Sequence, residues 1–361
     1  MQRNPLYKDL TIIITTSPIK SHPSTNLLDE TIESFLKVDG LNDCNKIIIC
    51  DGYVNNEKDK FKSGHVTSKT IIDYEKFIEL IVEKVNNGTY KYTTINKQAT
   101  RNGFAKNVQI VLDLVVTPYV IVIQHDQVFA RNVNLASIIN SMNTNLNINY
   151  VGMLSRSDSD EIGTKLMHPS FKNFINDIQT EINTDIQFEW YKYKQLVFEN
   201  NNGEEKRIDL LSLRNNNKTK LILDYHKIKY GLPLMFLVFW YDKTHICRTE
   251  FYKKFIFNNI HTNYKAGKSM RVSNFIEDSV GNIQMENIKY NGLCAFKNYG
   301  SYILYDDITP AIYHSNGRKY IPKDEIEKIT GKKDQSGGNT YYEKYLKYGN
   351  KISKLLEQQV G

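Results

Sequence analysis

A run of β-branched residues in "VIVIQHDQVFARN" (120–132) stops at Gln124, His125 and Asp126. Such a strand end either meets solvent in a polar turn or holds a ligand. A carboxylate there is a hard oxygen ligand for Mg or Mn, and Asp126 is the one acid of the three. Gln124 can add only an amide oxygen. His125 has a plain reading as a structural imidazole, since side chains alternate along a strand. A second acid, Asp51, closes "KIIICDG" (46–52), where Asp-Gly serves turn chemistry or recognition of a ligand edge. Adjacent Glu277 and Asp278 follow apolar Phe275 and Ile276 in "NFIEDSVG" (274–281), a comfortable pair for a helix N-terminus. His314, in "IYHSNGRKY" (312–320), is a borderline ligand that suits Mn.

These groups need elements to hold them. The first half alternates strand and helix signals. "LTIIITT" (10–16) is a β-rich run ended by Ser17-Pro18, and "STNLLDETIESFL" (24–36) places Leu28, Ile32, Phe35 and Leu36 at helical spacing behind Ser24 or Thr25. "KIIICDG" reads as a second strand, "IIDYEKFIELIVEKV" (71–85) as a helix and "YKYTTIN" (90–96) as a third strand. "FAKNVQIVLDLV" (104–115) puts Phe104, Val108, Val111, Leu112 and Val115 on one helical face before Thr117-Pro118 and the strand that ends at Gln124. Alternating strands and helices predict an α/β fold with a mainly parallel sheet covered on both faces. Ligands in such sheets bind at the carboxyl ends of the strands. Thr16-Ser17, Asp51-Gly52 and Gln124-His125-Asp126 all fall at such ends.

The second half is less regular. A strand is expected over 150–155, a buried strand over 232–242 and a helix over 248–257, while 156–230 stays unordered by pattern. The charged stretch beyond Arg318 ends in "YYEKYLKYGNKISKLLEQQ", an amphipathic surface helix that could also pair two copies as a homodimer. The expected organisation is 1–155 and 156–320 as two halves of one domain, then a helical tail over 321–361.

Of 361 residues, 40% are hydrophobic and 24% charged, an ordinary globular balance. A net charge of +7 spread along the chain suits an anionic small molecule, and no dense Lys/Arg stripe points to nucleic acid. Cys44, Cys50, Cys247 and Cys294 show no CxxC spacing, so reduced thiols and a cytoplasmic setting are expected. The N-terminus lacks a signal-like apolar region. The most apolar stretch, 231–240, falls short of the ~20 residues needed to cross a bilayer.

Residues 10–130 resemble the nucleotide-sugar-binding half of a GT-A fold glycosyltransferase of the family-2 kind. "LTIIITTSP" is similar to its opening strand, and "IIICDG" to its second, whose terminal acid contacts the base. "RNGFAKNVQIVLDLVVTPYVIVIQHD" resembles the N-x-G-x-x-x-A-R-N segment, helix and DxD-bearing strand. The likeness extends more loosely to "NFIEDSVG" and "IYHSNGRKY". It implies a nucleotide-sugar donor, a divalent metal (Mn or Mg) and a glycan or glycoconjugate hydroxyl as acceptor. It further implies donor contacts from Thr16, Ser17, Asp51, Arg101, Lys106, Gln124, His125 and Arg318. Arg101 and Lys106 bracket a helix start, which the helix dipole disfavours for cations, and a diphosphate there would offset that. The DxD is degenerate, with Gln124 in place of the first acid, so the implied metal ligands are Asp126 and the late His314. Glu277-Asp278 resembles the ED pair of inverting enzymes, with Asp278 as base and Glu277 orienting the acceptor. Two alternatives remain: a sugar-phosphate nucleotidyltransferase, against which "TTSPIKSHP" lacks a Gly-rich signature, and a non-catalytic sugar-nucleotide-binding protein.

Overall fold

A computed structural model describes residues 3–155, 169–182, 226–227, 229–263, 266–272, 275–306 and 310–315. The 321–361 tail, Arg318, Trp190 and most of 156–230 lie outside the described residues.

Eight strands form the central sheet, in the order β5-β2-β1-β6-β10-β8-β13-β9. They are β1 (Leu10–Thr16), β2 (Asn45–Cys50), β5 (Thr93–Lys97), β6 (Tyr119–Gln124), β8 (Tyr150–Gly152), β9 (Leu234–Phe236), β10 (His245–Arg248) and β13 (Ser301–Leu304). Strands β5, β2, β1 and β6 run parallel. β10 is antiparallel to β6 and β8, β13 parallel to β8, and β9 antiparallel to β13. Three two-stranded ribbons accompany the sheet: β3 (Val54–Asn55) with β4 (His65–Val66), β7 (Gln127–Phe129) with β14 (Ile312–His314), and β11 (His261–Asn263) with β12 (Lys268–Met270). The expected fold class holds: a mixed, mainly parallel α/β sheet. Every residue of β1 is buried, and because neighbours point to opposite faces, both faces of the sheet are covered.

The described α-helices include α1 (Asn26–Ser34), α2 (Ser68–Asn86), α3 (Phe104–Leu112), α4 (Leu135–Thr144), α5 (Lys172–Ile182) and α6 (Asn282–Tyr299). Their buried residues follow helical spacing, as with Tyr74, Phe77, Ile78 and Ile81 on α2. Between β1 and β5 the chain builds the sheet to one side of β1, then crosses to place β6 on the other. That reversal opens a crevice at the carboxyl ends of β1 and β6.

Several expectations for the second half need correction, and the strand expected over 150–155 is only Tyr150–Gly152. Only Leu234–Phe236 of the apolar run 232–242 is strand, while Leu237, Val238, Trp240 and Tyr241 are buried without being strand. The Leu237 carbonyl accepts from Gln284 of α6 (2.8 Å) instead of from a neighbouring strand. A buried apolar run does not by itself distinguish strand from irregular backbone. Helix α6 was not foreseen, because buried Gln284 and Asn287 interrupt its apolar face. It packs on α5, whose Asp177 accepts from the Leu293 amide (2.8 Å). The helix expected over 248–257 is Thr249–Phe251 continued by a wider π-type turn over Tyr252–Phe257. All four cysteines are free, and no described helix is long and apolar enough to cross a membrane.

The core also contains a pH-sensitive group. His245 is fully buried against Tyr150 (ring centroids 4.5 Å apart), donates from Nδ1 to the Lys243 carbonyl (2.6 Å), and is held down to about 4 by burial. The unfolded imidazole binds its proton near pH 6.5, so this contribution is whole above 6.5 and is lost as pH falls toward 4. The loss amounts to ~3 kcal/mol at most. Denaturant midpoints across pH 7 to 4 should fall more steeply for wild type than for His245→Phe; parallel curves would contradict the assignment.

Candidate functional site

A cleft of ≈ 120 Å³ lies at the crevice, between Thr15–Ile19 after β1, Asp51 after β2, Arg101–Phe104 before α3, and Gln124-His125 after β6. It contains Thr16, Ser17, Asp51, Arg101, Gln124 and His125 of the residues expected from sequence. Lys106 is exposed on α3 with its ammonium bonded to Gln109 (3.0 Å), and it does not line the cleft.

Asp51 works first on its own backbone. Its carboxylate accepts from the amides of Asn102 (2.8 Å) and Gly103 (3.1 Å), fastening the loop that leads into α3. Buried Tyr74 donates to the Asp51 carbonyl from below (2.9 Å). Gly52 makes this approach feasible, since a Cβ there would sit 2.2 Å from the Thr100 carbonyl carbon. Arg101 folds over Gly64, where a Cβ would meet its Cδ at 2.4 Å.

Three buried polar atoms along the cleft have no hydrogen-bond partner: Thr16 Oγ1, Asn107 Oδ1 and His125 Nδ1. Buried polar groups are normally hydrogen-bonded, so these atoms are available to water or to a ligand in the cleft. Asn107 was missed from sequence. Its signal was there: position 107 is one turn before Val111, so it is a polar residue within the apolar face of α3. His125 is not on the strand but in the turn after it, with its amide donating to Thr15 (3.0 Å) and its carbonyl accepting from Thr31 (2.7 Å). Burial lowers its pKa, which the Asp126 carboxylate opposes. The imidazole facing the cleft is therefore neutral at pH 7.

Immediately beyond His125, Asp126 Oδ2 lies 3.1 Å from His314 Nε2. The β7–β14 ribbon sets this distance, pairing His314 with Gln127, and the Ser315 amide donates to the Asp126 carbonyl (2.8 Å). The contact is an ion pair or hydrogen bond as it stands, and the same carboxylate and imidazole are the groups that would hold a divalent cation. Among the described residues no group of three His, Cys, Asp or Glu gathers as a metal site.

Phe275 lines the cleft and stacks on Phe104 (6.1 Å), and Glu277 and Asp278 follow it in the chain. Asp278 is exposed at the start of the helical segment. Glu277 is half-buried and accepts from the Asp242 amide (3.2 Å). Asp242, also missed from sequence, is fully buried, and burial together with the Glu277 charge pushes its carboxyl well above the ordinary carboxylate range. Gln124, expected to offer an oxygen, donates its amide to the Asp242 carbonyl (3.1 Å).

A larger cavity, ≈ 570 Å³, lies at the opposite, amino ends of β1, β2 and β5. Its one deeply buried charge, Lys46, donates to the carbonyls of Asn42, Cys44 and Lys91 (2.5, 3.2 and 3.2 Å). All three of its protons are thus satisfied. The smaller cleft is the better candidate because its polar atoms are not.

No protein-family model and no curated protein sequence matches the chain. Among solved structures it is similar to the mannosyltransferase PcManGT from Pyrobaculum calidifontis in complex with GDP-Man and Mn2+, at 13% identity and TM-score 0.27, over 43% of this chain and 38% of that one. It is similar to S. aureus TarS 1–349 in complex with UDP-GlcNAc, at 14% identity and TM-score 0.36, over 89% and 64%. It is also similar to a protein assigned as a glucose-1-phosphate thymidylyltransferase from Bacillus anthracis, at 14% identity and TM-score 0.26, over 40% and 54%. In each case the match spans less than two-thirds of the other chain. Superpositions this loose do not decide between sugar transfer and nucleotidyl transfer.

Proposed function

We propose that the chain is a GT-A glycosyltransferase that moves a sugar from a UDP- or GDP-linked donor to a hydroxyl acceptor with inversion. One observation carries the reading: the cleft at the carboxyl ends of β1 and β6 is followed directly after His125 by the Asp126–His314 pair, and Gln124 of its lining is joined through Asp242 to Glu277. Both reactions need positive charge at a phosphate, but only attack by a hydroxyl needs a general base, since the phosphate nucleophile of a nucleotidyltransferase is already ionised.

In this reading Thr16, Ser17 and Asn107 bond the nucleoside, and Arg101 faces the diphosphate. Asp51 acts through the loop it holds, shaping the base pocket with the amides of Asn102 and Gly103 already engaged. Neutral His125 donates to or accepts from the donor without adding charge. A divalent cation held by Asp126 and His314 would neutralise the charge that builds on the departing diphosphate. Asp278 takes the proton from the acceptor hydroxyl as that oxygen attacks the anomeric carbon, opposite the leaving group. Glu277, tied to the Asp242 amide, orients the acceptor. The free cysteines suit a reducing, cytoplasmic setting.

Thermal shift with a panel of nucleotide sugars, with and without Mn, tests the reading. At least one UDP- or GDP-sugar should stabilise the protein, and more so with Mn; about 2.7 kcal/mol is expected at a hundredfold excess over Kd. No response to any donor would sink the proposal.

A further inference from the structure

We infer that Asp242 is a positioning residue that holds the helix start bearing Glu277 and Asp278; this rests on the reading of Asp278 as the base. The first amides of a helix have no intrahelical acceptor and are usually met by a side chain just upstream. Here the acceptor comes from far away in sequence. Asp242 Oδ2 takes the amides of Ile276 (2.8 Å) and Glu277 (3.3 Å), and Glu277 Oε2 takes the Asp242 amide in return (3.2 Å). The exchange has the logic of a capping box, with its two halves on different elements.

The anchor itself is rigid. Asp242 follows Trp240 and Tyr241 in a buried aromatic cluster, where Tyr150 packs on Trp240 (4.5 Å) and donates to the Tyr241 carbonyl (3.0 Å). The helical turn lies directly on that cluster: a Cβ on Gly281 would come within 2.8 Å of both the Trp240 carbonyl oxygen and Phe239. Asp242 also reaches the donor side, since its carbonyl accepts from Gln124 at the end of β6. One residue thus ties the strand end beside the diphosphate position to the helix start that presents the acids. Its other oxygen, Oδ1, is buried without a partner, a costly arrangement for a mere cap. A surface Ser or Asn would cap as well at less cost.

Asp242→Ala removes the acceptor, and Asp242→Asn keeps an oxygen for both amides while removing the ionisable group. For Asp242→Ala, kcat should fall about 10- to 100-fold with donor Kd unchanged, a split that general loss of structure would not produce. Amide exchange at Ile276 and Glu277 should rise at least about tenfold in the same variant. Asp242→Asn should keep both the protection and kcat within about threefold of wild type. The inference is overturned if Asp242→Ala keeps kcat and protection. It is equally overturned if Asp242→Asn keeps protection but loses as much kcat as Asp242→Ala, because the acid itself rather than its hold on the helix start would then matter. Should Asp242→Ala not fold, Gly281→Ala pushes the same turn off Trp240 and should lower kcat with donor Kd unchanged; an unaltered kcat overturns the inference. If wild type turns over no nucleotide sugar, the transferase reading fails separately, and amide exchange alone still decides whether Asp242 holds the helix start.

Discussion

Asp278→Asn is expected to lower kcat by about 10²–10⁴-fold while donor affinity stays within about twofold of wild type. Asparagine keeps the size and polarity of the side chain but cannot accept a proton. Asp278 is exposed, so stability should change little. The neighbouring acid gives the contrast. Glu277→Gln retains an oxygen for the Asp242 amide, so its effect should be much smaller. Single-turnover assays with a saturating donor separate the two. Equal loss of donor binding and turnover in Asp278→Asn would give that residue a structural role instead.

The second large effect concerns the cation. Asp126→Ala should abolish the Mn-dependent part of donor binding and leave a weaker, Mn-independent part. At concentrations where Mn and donor together add about 2.7 kcal/mol of stability, the variant should lose most of that gain. His314→Ala should do likewise to a lesser degree, because imidazole supplies one neutral nitrogen whereas the carboxylate also neutralises charge. Without donor His314→Ala should melt close to wild type, since His314 is exposed. Calorimetric titration of Mn in the presence of donor checks this. Undiminished Mn dependence in Asp126→Ala would move the cation away from this pair.

Much of the framework was legible in the sequence, for physical reasons that differ by region. Strands β1, β2 and β6 are buried on both faces, so their runs of Ile and Val needed no alternation to be read. Helices α2 and α3 bury one face, which left the 3.6-residue pattern intact. The groups at the ends of β1, β2 and β6 follow from that framework. Asp126 and His314 were linked through family resemblance, and the β7–β14 ribbon brings them to 3.1 Å.

Other features depend on tertiary contacts that no local pattern records. Asp242 reads as the polar end of an apolar run, and its meaning comes from amides at 276 and 277. Asn107 is a polar position within the apolar stripe of α3, and its side-chain oxygen lies along the cleft. Lys106 shows the opposite error. Adjacency to a helix start placed it near an anion, but its position on the helix turns it toward Gln109 and solvent. Helix α6 escaped notice because buried Gln284 bonds a carbonyl that would otherwise need a strand.

The central claim is that a nucleotide sugar sits in the cleft at the carboxyl ends of β1 and β6. Titration calorimetry of the best donor from the thermal-shift panel into Asn107→Leu tests it most directly, because Asn107 is buried, lines the cleft, and has no bond inside the protein that its oxygen would lose. The predicted result is a folded variant with donor affinity at least about tenfold weaker, the loss of one well-buried hydrogen bond. Wild-type affinity in folded Asn107→Leu would contradict the account and put the donor elsewhere.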